Sequence, residues 1–405
     1  MYLDLPEDFI AKVKTYDDEM IAFRRDLHAH PELSRAEVRT TRVVRERLEL
    51  AGLAARVLPA GTGLTCDIGS TGGPGGAGRT VALRADLDAL PLADTKAVPY
   101  RSTVAGVTHA CGHDVHTAVV LGAGLVLADL EAAGELPGRV RLVFQHAEEV
   151  MPGGALDVIR AGGVRGVDRM FALHCDPRVD AGHVGLRVGP ITGATDRVAV
   201  RLTGPGGHTA RPHLTADLVY ALGKILTETA ATLSRRVDPR AGLSLVWGRV
   251  GAGSASNAIP QVGEAEGTLR CLDLQAWEAA PGTFTEIVHS IAAQYGVTAE
   301  VEVTRGVPPC VNEVASVRLL GEAAQAVIGP EAVVPTEQSL GGEDFAWYLG
   351  EVPGALARLG VRVPGATESL DLHQPQFDVD EDAIRVGIRL LVATALHALT
   401  DDRAA

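Results

Sequence analysis

The chain has 405 residues, of which 46% are hydrophobic and 22% are charged, and its formal net charge is −14 at pH 7. Chains longer than about 250–300 residues usually divide into several domains, and this ordinary composition predicts a folded, water-soluble protein. The acidic balance argues against nucleic acid or an anionic membrane as the main partner.

The N-terminal stretch carries acidic residues and lacks the apolar segment of a secretory signal. No segment is expected to reach the roughly 20 apolar residues that span a bilayer. The five cysteines are odd in number and widely spaced, a pattern that suits a reducing compartment. Together these features predict a cytoplasmic protein.

Predicted helices and strands alternate along the first part of the chain. Helices are predicted over residues 19–25, 36–50 and 117–133, and strands start at Arg79, Arg139 and Arg169, the last ending at His174. A glycine-rich turn near residue 75 lacks the Gly-Lys-Ser/Thr ending of a phosphate loop. The alternation predicts an α/β domain with a mixed, largely parallel sheet flanked by helices.

From Gly189 the order of the predicted elements changes to β-α-β-β-α-β, which is the ferredoxin-like unit. The α/β pattern resumes after this stretch. The sequence therefore predicts a discontinuous first domain, residues 1–188 and 308–405, with an inserted α+β lid domain, residues 189–307.

Residues of the types that bind metals are concentrated in four segments, which read HACGHDVHTA, QHAEEV, ALHCD and DLHQPQFDVDE. Thiolate, imidazole and carboxylate groups together form a zinc-like ligand set. In open α/β sheets, sites lie beyond the carboxyl ends of the strands, where three of these residues are predicted to fall: Glu148, Glu149 and His174. Adjacent glutamates also allow one carboxylate to bind metal while the other acts as general base.

Each of these residues has a simpler interpretation when it is taken alone. A single histidine at a strand end is usually structural, Cys111 alone is more often a small buried hydrophobe, and two adjacent glutamates are usually a solvated turn. Cys111 could also be a nucleophile, but the histidines and glutamates of these four segments would then have no assigned role. Their concentration in one predicted region favours a metal site.

Nine motifs in a fixed order carry a resemblance that covers nearly the whole chain: RRDLHAHPELSRAE, RADLDALP, CGHDVHTA, HAEEVMPGGA, GPGGHTARPH, SASNAIPQ, GTLR, GGEDFAWYL and LHQPQFDVDE. The chain resembles the aminoacylase/carboxypeptidase family of dinuclear metal amidohydrolases. Within that family it is most similar to the branch of hippurate hydrolase and the plant indole-acetyl-amino-acid hydrolases. The resemblance implies a zinc-exopeptidase-like catalytic domain with a lid domain.

The resemblance also implies a role for individual residues. Five residues match the ligands of a two-metal site: Cys111, His113, Glu149, His174 and His373. Glu148 matches the general base, and His208 matches a residue that reaches the active site of a dimer partner and stabilises the oxyanion. Asn257 and Arg270 match positions that recognise the substrate carboxylate. The two divalent ions are expected to be zinc, because a thiolate favours it, with manganese or cobalt left open.

The function implied by the resemblance is metal-dependent hydrolysis of N-acyl amino acids by a homodimer that pairs through the lid domain. A metallo-dipeptidase or carboxypeptidase with the same site, and a non-catalytic binding protein, are the alternatives. The chain departs from the family at His146, where relatives usually have proline, and this puts the shape of the acyl pocket in doubt.

Overall fold

The computed structural model describes residues 5–6, 8–71, 78–366 and 370–401. The glycine-rich turn predicted near residue 75 falls largely on residues 72–77, outside the described residues. The chain divides into two compact units. The first comprises Met1–Ile191, Val311–Glu337 and Asp344–Ala405, and the second comprises Thr192–Cys310 and Gln338–Glu343.

The helices and strands are numbered here in chain order. The helices are α1 Phe9–Ala29, α2 Val38–Leu50, α3 His113–Ala132, α4 Ala155–Arg160, α5 Leu218–Arg236, α6 Leu274–Gln294, α7 Val314–Val327, α8 Phe345–Leu349 and α9 Asp382–Thr400. The strands are β1 Ala55–Val57, β2 Leu64–Gly69, β3 Thr80–Asp86, β4 Arg139–Gln145, β5 Arg169–Asp180, β6 Val184–Leu186, β7 Gly189–Thr192, β8 Ala194–Thr203, β9 Gly207–His208, β10 Ser244–Ala252, β11 Ala258–Ile259, β12 Val262–Cys271, β13 Thr298–Val307, β14 Cys310–Asn312, β15 Val333–Pro335 and β16 Gly354–Arg362. Short 3₁₀ turns span Pro212–Leu214 and Pro239–Ala241.

A mixed sheet forms the centre of the first unit, with strand order β1-β2-β4-β3-β5-β16-β6-β15. The adjacent pairs β3–β4, β3–β5, β5–β16 and β6–β15 are parallel, and the remaining pairs are antiparallel. Every residue of β3 is buried, as expected for a strand covered by helices on both faces of a parallel sheet. The predicted largely parallel α/β sheet is therefore confirmed.

Two apolar helices, α3 and α9, pack against each other and against this sheet. Both are long and apolar enough to cross a membrane, contrary to the expectation that no segment would reach that length. In this fold, however, 78% of the apolar window of α3 and 83% of that of α9 are buried inside the protein. The apolar side chains of α3 and α9 therefore belong mainly to the hydrophobic core of the first unit.

The second unit is built on a four-stranded antiparallel sheet with strand order β10-β12-β8-β13. Helices α5 and α6 pack on this sheet and complete the β-α-β-β-α-β order that the sequence predicts. Alternate residues of β8 are buried, which is the pattern of a strand with one covered face. The unit has a hydrophobic core of its own, formed around residues such as Val198, Ile225 and Phe284.

Candidate metal centre

Four segments of the first unit carry the predicted metal ligands to neighbouring positions. Cys111 and His113 flank Gly112, the residue immediately before α3, and Gly112 has a left-handed φ of 84°. A side chain at Gly112 would place Cβ 2.6 Å from Cys175 Sγ, so both the conformation and the space require glycine. His174 lies within β5, and not at its end as predicted, because β5 continues to pair with β16 as far as Asp180.

The polar ends of these residues form one cluster. Cys111 Sγ lies 3.5 Å from His174 Nε2. Glu149 Oε1 lies 3.8 Å from His113 Nε2 and 3.4 Å from His373 Nε2. Ligand atoms bound at about 2.0–2.3 Å to one tetrahedral ion lie roughly 3.3–3.8 Å apart, so the observed spacing matches shared ligation.

Overlapping sets of ligand atoms in this cluster could each hold an ion, with all atoms of a set within 4.8 Å of one another. Three sets consist of predicted site residues: Cys111 with His113 and His174, Cys111 with Glu149 and His373, and His113 with Glu148 and Glu149. Two further sets share a residue with these: Asp86 with His113 and His116, and Glu148 with Glu343 and Asp344. The structure thus brings together the five predicted ligands and Glu148. Their individual roles stay a prediction.

Two buried atoms at the centre of the cluster have no hydrogen-bond partner among the described residues: His113 Nε2 and Glu149 Oε1. Buried polar atoms are normally paired, and leaving one unpaired costs about 1–3 kcal/mol. Both atoms belong to residue types that bind divalent metals, and a cation between them would satisfy both. The residues present therefore fit a metal site.

Hydrogen bonds behind the cluster orient its members. His113 Nδ1 donates to the backbone oxygen of Asp88 at 2.8 Å, which directs Nε2 into the cluster. The Asp88 carboxylate accepts from the backbone N–H of Glu149 at 2.9 Å and from the Ser34 hydroxyl at 2.6 Å. His174 Nδ1 donates to the backbone oxygen of Cys175 at 2.8 Å, so its Nε2 also faces inward. Asp88 thus supports the cluster through both its backbone oxygen and its carboxylate.

Burial and neighbouring charges shift the pKa of two predicted ligands, Cys111 and His113. Burial raises the pKa of the Cys111 thiol well above its usual range, and the Glu149 carboxylate adds to this. Burial alone would lower the pKa of His113, but the charge of Asp86 and a hydrogen bond to Asp88 outweigh it and raise that pKa. A metal ion must displace these protons, so metal binding strengthens as pH rises.

The turn that carries Glu148 is held by a residue that the sequence analysis did not single out. Ala147, just before Glu148, has a left-handed φ of 54°, and Arg35 has a φ of 68°. The backbone N–H groups of both donate to Glu37 Oε1, at 2.8 Å and 2.9 Å. Glu37 is fully buried. It lies in the motif RRDLHAHPELSRAE, but nothing in its local spacing reveals that it holds a turn 110 residues away.

A second support that the sequence analysis missed is the buried Arg84. Its guanidinium donates to Asp86 at 2.8 Å and to Asp344 at 2.7 Å. Asp86 also accepts from His116 Nδ1 at 2.6 Å, and His116 Nε2 accepts from the backbone N–H of Cys175 at 2.8 Å. Asp344, whose role the GGEDF motif left open, thus belongs to a charged network that supports the strand ends.

His146 belongs to none of the groups of described residues whose ligand atoms could hold an ion. Its Nε2 lies 3.1 Å from Asp157 of α4, and the histidine is fully buried. The ring therefore attaches the turn after β4 to α4. It adds no ligand to the cluster.

The other three predicted site residues belong to the second unit. His208 is exposed in β9, and its Nδ1 accepts a hydrogen bond from the backbone N–H of Ala210 at 3.1 Å. Asn257 is exposed, and Arg270 donates to Thr195 Oγ1 at 3.0 Å and to the backbone oxygen of Leu340. Their predicted roles are not tested by this geometry.

Comparisons with known proteins agree with the fold and with a metal-binding family of hydrolases. Residues 82–397 match the model of peptidase family M20/M25/M40. A Rhodococcus jostii protein that carries the name glutamate–cysteine ligase 2-3 is 49% identical over 93% of this chain, which spans only 46% of that protein. An N-acetyl-L-cysteine deacetylase of Bacillus subtilis is 36% identical over 92% of the chain and 86% of its own length. An N-acyl-L-amino acid amidohydrolase of Geobacillus stearothermophilus is 37% identical over 75% of the chain and 80% of its own length.

Solved structures show the same architecture. A Bacillus subtilis protein described as a dinuclear metal-binding peptidase of the M20 family superposes with a TM-score of 0.82, at 34% identity over 95% of this chain and 99% of its own. An aminohydrolase structure from Staphylococcus aureus gives a TM-score of 0.88 at 29% identity, over 98% of this chain and all of its own. The narrower resemblance to the hippurate hydrolase branch stays a prediction.

Proposed function

Because the chain belongs to peptidase family M20/M25/M40, a family of hydrolases, we propose that it cleaves the amide bond of N-acyl amino acids with divalent metal ions. One observation carries the proposal. Glu149 Oε1 lies among the ligand atoms with no hydrogen-bond partner in the part of the chain that the structure describes, while the neighbouring Glu148 carboxylate reaches the same cluster at 3.9 Å from His113 Nε2. The pair therefore provides one carboxylate for metal and one for proton transfer.

Five residues would hold two metal ions: Cys111, His113, Glu149, His174 and His373. The thiolate and imidazoles favour zinc, and the carboxylate is also compatible with manganese or cobalt. When bound, such ions lower the pKa of a water molecule to about 7 and polarise a carbonyl group.

The residues of the chain divide the remaining chemistry. The Glu148 carboxylate accepts the proton of the attacking water as the oxygen bonds to the amide carbon. It then returns the proton to the nitrogen as the carbon–nitrogen bond breaks, which releases a carboxylic acid and an amino acid. Glu148 is only 6% exposed, so its carboxylate is largely shielded from bulk solvent.

His208 is proposed to donate a hydrogen bond to the oxyanion. Its Nδ1 already accepts from Ala210, so the neutral ring carries its proton on Nε2 and can act as a donor there. Asn257 and Arg270 are proposed to recognise the substrate carboxylate, since a guanidinium matches that group.

A homodimer through the second unit is proposed as the functional assembly. Strand β10 lies at the edge of the four-stranded sheet, and its Val246 and Val250 side chains are 64% and 56% exposed. An exposed edge with apolar residues is a suitable surface for pairing with a second copy. The proposed setting is the cytoplasm, without a nucleic acid or membrane partner.

Relatives named for N-acetylcysteine deacetylation support a panel of acyl amino acids that includes N-acetylcysteine. The purified protein would be incubated with N-acetyl, N-benzoyl and longer N-acyl amino acids and with matched dipeptides, before and after chelation and metal add-back. Chelator-sensitive release of amino acids from the acyl series is the expected result. Cleavage of dipeptides alone would replace the proposal with a metallopeptidase function, which the family also supports.

A further inference from the structure

The predicted metal ligand His373 lies in an irregular stretch of the chain between β16 and α9. The described residues of this stretch, 363–366 and 370–381, form no helix or strand. His373 has a φ of 61°, a left-handed conformation that is unfavourable for a residue with a side chain, and its side chain is 54% exposed. Because its own packing is slight, contacts of the neighbouring residues must hold it in place. We refer to residues 370–381 as the His373 segment.

A buried arginine of α1 joins the His373 segment to the start of α3. Arg24 is only 1% exposed. Its Nε donates to the Asp114 carboxylate at 2.7 Å, and its Nη2 donates to the Asp378 carboxylate at 3.0 Å. Asp114 directly follows the predicted ligand His113, and Asp378 lies five residues after His373. The guanidinium therefore bridges the chain beside one predicted ligand and the segment that carries another.

The α3 end of this bridge is fixed by other contacts as well. Asp114 lies in the first turn of α3 and also accepts from His28 Nδ1 at 2.7 Å. The neighbouring His113 donates to the backbone oxygen of Asp88. The start of α3 is therefore expected to keep its position when Arg24 is changed.

The His373 segment depends more strongly on the bridge, since it lies in no helix or strand. Tyr100 donates to Asp378 Oδ2 at 2.9 Å, and Lys96 Nζ donates to a backbone oxygen of the segment at 2.8 Å. Both of these residues belong to the loop that precedes α3. Arg24 adds the contact that links the segment to α3 itself, so loss of this contact is expected to displace the segment more than the helix.

A guanidinium suits this bridge because its Nε and Nη groups can donate to separate acceptors at the same time. The adjacent Arg25 provides a comparison. Both arginines contact Glu381, at 3.3 Å from Arg24 Nη1 and 2.9 Å from Arg25 Nε, and they lie 5.0 Å and 5.2 Å from the Tyr100 ring. Arg25 is 49% exposed, and its hydrogen bonds among the described residues go to Glu381 alone. The two arginines therefore differ mainly in the bridge.

We propose that Arg24 is a positioning residue of the metal centre, which holds the His373 imidazole in reach of the other ligands through Asp378. This inference rests on the proposed function for the role of His373 as a ligand. Glu149 Oε1 lies 3.8 Å from His113 Nε2 and 3.4 Å from His373 Nε2. A displacement of the segment by about 1 Å would change the second spacing and leave the first unchanged, and misplacements of that size are costly in active sites.

The test measures the Zn²⁺ affinity of the full chain by competition with a chromophoric chelator, without substrate. Arg24→Lys keeps the positive charge but can no longer bond both carboxylates. It should weaken Zn²⁺ binding about 10- to 100-fold, the usual loss when a group behind a metal ligand is removed. Asp378→Ala, at a partly exposed position, should cause a similar loss with less risk to folding. Arg25→Met is the matched control and should leave the affinity unchanged. Unchanged affinity in either folded variant of the bridge would overturn the proposal.

A buried arginine also contributes to folding, so a second control separates stability from positioning. Arg169 is 9% exposed and donates to Glu313 at 2.6 Å and to Ser316 at 2.8 Å. It begins β5, roughly 16 Å from His174 at about 3.3 Å per residue. Arg169→Lys should lower the free energy of unfolding in urea, as Arg24→Lys does, and should leave the Zn²⁺ affinity unchanged. Equal losses of Zn²⁺ affinity in these two variants would overturn the positioning role.

Removal of the ligand itself tests whether the bridge acts through it. In a chain that carries His373→Ala, Arg24→Lys and Asp378→Ala should cause no further loss of Zn²⁺ affinity, because the ligand that they position is absent. Non-additivity of this kind is expected for residues that act on one another. A full further loss in that background would show that Arg24 acts elsewhere and would overturn the proposal.

Hydrogen exchange of the metal-free chain distinguishes failure of this inference from failure of the proposed function. The backbone N–H of His373 donates to the backbone oxygen of Ala110 at 2.8 Å. This amide should exchange about tenfold faster or more in Arg24→Lys, and at an unchanged rate in Arg25→Met. If it does so while the unsubstituted chain binds no Zn²⁺, the link from Arg24 to the segment stands and the proposed metal chemistry fails. If Zn²⁺ binds but Arg24→Lys leaves the exchange rate unchanged, the proposed function stands and the positioning role of Arg24 is overturned.

Discussion

Replacing Gly112 by alanine would change the backbone between two of the proposed metal ligands, Cys111 and His113. Two costs follow from the structure. The left-handed φ of 84° costs an alanine about 1–2 kcal/mol. The new Cβ would also meet Cys175 Sγ at 2.6 Å and Cys175 Cβ at 2.9 Å, and overpacking of this kind costs about 1–3 kcal/mol. The free energy of unfolding should therefore fall by about 2–5 kcal/mol in total.

Gly52 provides the matched control, because it belongs to the same compact unit, has a φ of 77° and has nothing within 4 Å of its Cβ position. Gly52→Ala should lose only the backbone contribution, about 1–2 kcal/mol in urea unfolding. Gly112→Ala should also lower metal affinity roughly tenfold or more, measured by competition with a chelator, because both flanking ligands shift. Introducing Cys175→Ala should recover part of the stability of Gly112→Ala. Equal losses at both glycines, with unchanged metal affinity, would refute the reasoning.

Two further substitutions test other parts of the first unit. Glu37→Leu removes the acceptor of the Ala147 and Arg35 N–H groups. It should lower the free energy of unfolding in urea by about 2–6 kcal/mol and should also lower kcat. Glu37→Gln keeps Oε1 and should change neither quantity. Equal behaviour of the two variants would contradict the support role. Burial and the hydrogen bond to Asp129 raise the pKa of Tyr16 to about 12. The contribution of Tyr16 to the free energy of unfolding is therefore full below pH 10 and is lost as the pH rises through 12. Tyr16→Phe should make the alkaline decline in stability less steep. An unchanged slope would contradict this role of Tyr16.

The sequence was sufficient to predict most of the cluster, because four of its residues follow a strand or lie at the start of a helix in one α/β domain. Glu148 and Glu149 follow β4, Cys111 and His113 lie at the start of α3, and these segments meet at one edge of the parallel sheet. The left-handed turns at Gly112 and Ala147 determine which atoms of the cluster face each other. The pattern of hydrophobic residues does not indicate the left-handed turn at Ala147.

The parts that the sequence did not predict depend on distant contacts. Arg84 and Asp344 are 260 positions apart and pair only because the sheet and the loop before α8 meet. Helix α3 begins at His113 and not at the predicted Thr117, because three of the four residues before Thr117 are buried polar residues that hide the helical pattern. Similarly, β5 extends past His174 because β16 pairs with it as far as Asp180.

The adjacent glutamates allow the most direct test of the proposed function. Glu148→Gln and Glu149→Gln change neighbouring carboxylates in the same way, and each variant is assayed for bound metal and for hydrolysis of the preferred N-acyl amino acid. We expect Glu148→Gln to keep its metal and lose kcat about 10²- to 10⁴-fold, since general acid–base catalysis contributes on that scale. We expect Glu149→Gln to lose metal affinity as well as activity. Near-normal turnover in Glu148→Gln, or full metal content in Glu149→Gln, would contradict the division between proton transfer and metal binding.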